Sequence, residues 1–139
     1  MGEAAGLPKG SAMPERSRFD GAASSLRGER VLVVEDEYML AQDLRADLER
    51  RGAAVVGPVS TVAEALDLLG RGPAPSMAIL DINLQGEMSY PVAEVLRASG
   101  IPFLFATGYE PWAIPDDYAD VPRAEKPIEL GQALQMLGR

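Results

Sequence analysis

The chain has 139 residues, 47% of them hydrophobic, enough for one domain with a sizeable core and at most a tail. Its formal net charge of −8 is unevenly spread: residues 1–30 carry five basic and four acidic side chains, residues 31–139 eight and seventeen. So acidic a body repels phosphate backbones, which excludes nucleic acid as an expected partner. The chain has neither cysteine nor histidine, so disulfides, thiolate metal sites, the usual zinc ligand and the commonest general base are all excluded.

Residues 1–28 are rich in Gly, Ala, Ser, Pro and charge without periodicity, and read as a disordered N-terminal tail; residues 29–139 read as the folded domain. "VLVV" (31–34) is a short apolar, β-branched run suited to a strand buried on both faces. Leu40, Leu44 and Leu48 then recur every fourth residue through 38–51, predicting an amphipathic helix closed by Gly52. "AAVVG" (53–57) predicts a second strand, and Thr61 with Glu64 forms a capping box ahead of Ala65, Leu66 and Leu69.

"MAIL" (77–80) predicts a third strand, and 90–99 a helix with Pro91 in its first turn and Gly100 after its end. "PFLFA" (102–106) is a fourth strand, "DVPRAE" (120–125) a weak fifth, and 129–137 a last helix. This alternation predicts an α/β fold, a doubly wound five-stranded parallel sheet covered on both faces. Pro111 and Pro115 cross the region where a fourth helix is due, so that helix is expected to be short, distorted or missing. No run reaches the length of a membrane span and no signal-peptide core is present, so a soluble cytoplasmic protein is expected.

In such sheets, function collects at the carboxyl ends of the strands. There the sequence places Glu35, Asp36 and Glu37, then Asp81 with Asn83 two residues on, then Thr107, then Lys126. Crowded carboxylates repel unless a positive charge intervenes. A hard divalent cation fits, and Mg²⁺ fits best because it takes few carboxylates and leaves room for phosphate oxygens. Asp36 and Asp81 are its expected direct ligands, Glu35 a direct or water-mediated one, and the Asn83 backbone carbonyl a further oxygen. Asp81, at the centre, is the expected nucleophile. Thr107 and Lys126 would hold the oxygens of an incoming phosphoryl group. Each signal alone has a plainer reading as a solvated loop, a helix cap, a turn or a surface lysine. Their joint appearance at successive strand ends is what points to a site.

Over residues 30–139 the chain resembles a response-regulator receiver domain, through "VLVVEDE", "AILDINL", "ATG" and "KP" in that order. The resemblance implies a flavodoxin-like fold and phosphoryl transfer from a sensor histidine kinase to Asp81. It makes Glu35 and Asp36 the acidic pair, Thr107 the switch hydroxyl and Lys126 the phosphate-binding ammonium. "PFLFATGY" (102–109) is similar to the PFxFATGY signature of a subgroup of single-domain regulators paired with alphaproteobacterial stress- or light-sensing kinases. Because the chain ends just after its last predicted helix, a stand-alone receiver is expected, working as a phosphate sink or a phosphorylation-switched binding module and catalysing only its own phosphotransfer.

Two positions depart from the family pattern. Arg123 stands where many receivers carry an aromatic switch residue, and Gln85 where a proline is usual. Tyr109 is the alternative candidate for gating the site. Two rival functions are a haloacid-dehalogenase-like phosphohydrolase, which needs an acid where Asn83 stands, and a receiver-type adaptor that works without phosphorylation.

Overall fold

The computed structural model describes residues 25–108 and 114–138. Seven strands are described: β1 (Arg30–Val34), β2 (Ala54–Val59), β3 (Met77–Asp81), β4 (Asn83–Leu84), β5 (Glu87–Met88), β6 (Phe103–Thr107) and β7 (Arg123–Glu125). The α-helices are α1 (Tyr38–Arg50), α2 (Val62–Gly70), α3 (Tyr90–Ala98) and α4 (Leu130–Met136). The main sheet has five strands in the order β2-β1-β3-β6-β7, every pair parallel. This is the doubly wound arrangement the alternation predicts, with its strand order reversing beside β1 and β3.

The two-residue period of the strands divides the interior into two cores. Leu32, Val34, Ala78, Leu80, Phe103 and Phe105 face α2 and α3, while Val31, Val33, Met77, Ile79, Leu104 and Ala106 face α1 and α4. All five residues of β3 are buried, as a strand covered on both faces requires. On α1, Leu48 is fully buried and Leu44 packs against the same core, so the predicted stripe is the buried face.

The capping box forms. The Glu64 amide donates to Thr61 Oγ1 at 3.1 Å, while the Glu64 carboxylate accepts from the Ser60 amide at 3.1 Å. Thr61→Ala is expected to cost about 1 kcal/mol of stability in urea unfolding, the usual worth of an N-cap.

Three local features differ from the sequence reading. Leu26, inside the predicted tail, is 2% exposed, and its amide donates to the Arg51 carbonyl at 2.7 Å, so ordered packing begins before residue 29. A single apolar side chain over the end of α1 accounts for this. The second strand runs on through Gly57 and Pro58 to Val59. Gly57 has φ +95°, and a Cβ there would lie 2.9 Å from the Val59 nitrogen. Between Asp81 and α3 the chain forms a small antiparallel hairpin, β4–β5, turning at Gln85 (φ 55°) and Gly86 (φ 96°). The described part of the region crossed by the two prolines holds one 3₁₀ turn, Asp116–Tyr118, in place of an α-helix. Among the described residues, no helix is long and apolar enough to cross a membrane.

Candidate functional site

The main-chain ladder brings the expected groups to one end of the sheet. Beyond β1, the Glu35 amide donates to the Val59 carbonyl at 2.9 Å, which pins the first acidic residue. Asp81 is the last residue of β3, and Lys126 follows β7, its amide donating to the Thr107 carbonyl at 2.9 Å. Alternation along the strands continues the side-chain direction of Val33 to Glu35, of Ile79 to Asp81 and of Ala124 to Lys126. Those three polar groups therefore meet. Lys126 Nζ lies 2.8 Å from Asp81 Oδ2 and 3.1 Å from Glu35 Oε1.

Both carboxylates are deeply placed, Glu35 at 6% exposure and Asp81 at 1%. Glu35 also accepts from the Glu37 amide at 2.9 Å, and Asp81 Oδ1 accepts from the Asn83 amide at 3.2 Å. Above them opens a cavity of about 550 Å³ lined by Asp36, Glu37, Tyr38, Asp81, Asn83, Gln85 and Lys126.

Glu35, Asp36 and Asp81 each offer a carboxylate oxygen, and these oxygens lie within 4.8 Å of one another. Opposed by one ammonium, three ionised carboxylates leave a net charge of −2. Burial first, then the hydrogen bond with Asp36 and the charge of Glu35, push the Asp81 carboxyl up to about 8, while Lys126 pulls the other way. Burial works against the charge of Lys126, but Asp81 and Glu35 outweigh it, and its affinity for the proton rises. The cluster thus takes up a proton near neutral pH yet keeps enough negative charge to hold Lys126 as an ammonium. An all-oxygen donor set that carries two uncompensated negative charges once Asp81 loses its proton fits a hard dication such as Mg²⁺, which displaces that proton.

No family model matches the chain. Among solved structures it is similar to SdrG from Sphingomonas melonis Fr1, at 41% identity and a TM-score of 0.71, covering 80% of this chain and 97% of that one. A response regulator receiver protein from Sinorhizobium medicae matches at 27% identity and TM-score 0.66, over 82% of this chain and 94% of that one. The chain belongs to the response-regulator receiver family. A curated relative of this receiver is the phyllosphere-induced regulator PhyR of Methylorubrum extorquens, 32% identical over 81 residues, 57% of this chain. The receiver spans only about a third of the length of the curated relatives it matches.

The structure gathers Glu35, Asp36, Asp81, Asn83 and Lys126 around the receiver's cavity. Thr107 ends β6, one residue beyond Ala106, the ladder partner of Asp81. The Asn83 side chain is committed to the hairpin turn, its Oδ1 accepting from the Gly86 amide at 2.6 Å. Gln85 lines the cavity from the hairpin tip. Arg123 is exposed at the start of β7, opposite Phe105 in the ladder. Tyr109 lies outside the described residues. The sequence reading missed Tyr90 and Tyr118, whose rings stack at 5.2 Å over Phe105. No local signal marked these rings, which pack on Phe105 of β6 from two separate elements.

Proposed function

We propose that this receiver accepts a phosphoryl group on Asp81 from a histidine kinase in a Mg²⁺-dependent reaction. It then loses the group to water, serving two-component signalling in the cytoplasm as a phosphate sink or as a binding module switched by the modification. One observation carries the reading: a buried aspartate held 2.8 Å from an ammonium, inside a three-carboxylate cluster that opens on a cavity. SdrG has also been solved in a BeF₃-activated conformation, and beryllofluoride mimics a phosphoryl group on a carboxylate.

The chemistry follows from the contacts. A carboxylate oxygen of Asp81 attacks phosphorus, the nitrogen–phosphorus bond of the donor breaks, and the imidazole leaves with the electron pair. Lys126 and the Thr107 hydroxyl receive the phosphoryl oxygens as Asp81 turns from carboxylate into acyl phosphate. Glu35, Asp36 and Asp81 would hold Mg²⁺, which when bound supplies charge neutralisation and in-line positioning. Water later attacks phosphorus and returns the free carboxylate.

With no histidine in the chain, the phosphoryl group must come from another molecule. Tyr38 and Met39, 72% and 67% exposed beside the cavity, give such a donor an apolar lip to rest on. The phosphohydrolase alternative lacks its acid, since Asn83 offers an amide already tied to Gly86. Mixing the protein with a radiolabelled, autophosphorylated kinase in Mg²⁺ tests the proposal. Label that moves to wild type but not to Asp81→Asn supports it, and label that moves equally to both refutes it. Prompt release as inorganic phosphate marks a sink, whereas a retained label marks a switch.

A further inference from the structure

On the face of the sheet covered by α2 and α3, the described part of the β6–β7 crossover, with its one 3₁₀ turn, is fastened by rings. Tyr118 lies parallel to Tyr90 of α3, with centroids 5.2 Å apart and planes 8° from parallel. Both stand edge-on to Phe105, at 5.9 and 6.0 Å. The Tyr118 hydroxyl donates to the Tyr90 carbonyl at 3.4 Å. From outside, the Arg97 guanidinium sits 5.4 Å from the Tyr118 centroid and pairs with Asp120 at 3.1 Å. Three elements are thus joined through two side chains.

Those rings grip the two strands that deliver the phosphoryl-binding groups. Phe105 stands two residues before Thr107 on the same side of β6. The Val121 amide donates to the Tyr118 carbonyl, and the Phe105 amide to the Pro122 carbonyl, both at 3.0 Å. On β7, Arg123 pairs with Phe105 and Glu125 with Thr107, and the Lys126 amide reaches the Thr107 carbonyl. Arg123 lies close enough to Tyr90 for its charge to oppose the burial that raises the hydroxyl's pKa. The carboxylates come from β1 and β3 instead.

We infer that Tyr90 and Tyr118 form a positioning pair for the phosphoryl-binding half of the site. They touch neither metal nor phosphoryl group; they fix the crossover that leaves β6 just after Thr107 and leads into β7, the strand that Lys126 follows. The inference rests on the phosphoacceptor reading and adds to it which residues set the affinity for the transferred group. A side chain held in place before the group arrives binds it more tightly, because less order is lost on binding.

The test is calorimetric titration of the full chain, first with Mg²⁺ alone and then with beryllofluoride in saturating Mg²⁺. Tyr118→Leu and Tyr90→Leu are expected to weaken beryllofluoride binding about three- to tenfold, the scale of one aromatic pair. Mg²⁺ affinity should stay within about twofold, and Tyr118→Phe, which keeps the stack, should match wild type. If Tyr118→Leu does not fold, Arg97→Ala loosens the same stack from its exposed side and should give a smaller split of the same sign. Unchanged beryllofluoride affinity in the leucine variants overturns the inference, as does equal loss of both ligands or a Tyr118→Phe as weak as Tyr118→Leu. A wild-type chain that binds no beryllofluoride overturns the phosphoacceptor reading along with it.

Discussion

Lys126→Met is expected to cause the largest loss of stability available at the site, about 3–5 kcal/mol at pH 8 without divalent cations. The substitution keeps the aliphatic stem and removes the charge, leaving the Glu35 and Asp81 carboxylates at 6% and 1% exposure without their ammonium. At pH 5 the loss should shrink, because the cluster then carries protons in place of the missing charge. Urea unfolding at the two pH values measures this. An equal loss at both would mean that Lys126 contributes packing rather than charge. The rate of phosphoryl acceptance should fall about 100-fold, the scale of removing one fixed donor to a developing charge. Lys126→Arg should recover more stability than rate, since a planar fork can pair with the carboxylates yet crowds the incoming phosphoryl oxygens.

Dications should stabilise the protein more at pH 8 than at pH 5. The Asp81 carboxyl binds its proton far more tightly in the folded chain than its ordinary 3.8, up to about 8. Between those values the folded state therefore holds more protons than the unfolded state. Stability is full below the ordinary value and falls as pH rises toward 8. Lys126 is charged in both states across this window and adds no slope. Mg²⁺ displaces the proton, so its binding is stronger where the cluster is already ionised. At a hundredfold excess over its Kd it should add about 2.7 kcal/mol. Melting curves at pH 5 and pH 8, with and without millimolar Mg²⁺, measure the difference. A larger Mg²⁺ effect at pH 5 would contradict the placement of the metal on these carboxylates.

The parallel sheet and its strand-end groups were legible because both depend on local pattern. Apolar runs such as "VLVV" and "MAIL" have few other ways to be buried, and each is followed at once by a carboxylate, Glu35 or Asp81, that marks the end of the strand. Parity along β7 places Lys126 on the face from which Asp81 and Glu35 meet it. What stayed hidden depends on sequence-distant partners. Leu26 joins the core only because the end of α1 lies beneath it. The β4–β5 hairpin turns at Gln85, a non-glycine residue with φ 55°, where Gly86 alone was too weak a turn signal to announce it. The stack of Tyr90 on Tyr118 links residues 28 positions apart, and only the pairing of β6 with β7 brings them together. Prolines signalled a short, distorted or missing helix between β6 and β7, where the described residues hold only a 3₁₀ turn, but nothing local showed that aromatic rings pack there.

The central claim is that Asp81 is chemically modified in a reaction that needs the acidic cluster. Incubation with radiolabelled acetyl phosphate, followed by denaturation and treatment with acid or base, tests it most directly. Wild type in Mg²⁺ should carry an acid-stable, base-labile label; Asp81→Asn, or wild type in excess chelator, should carry almost none. A full label on Asp81→Asn, or a wild type that never labels, would contradict the account.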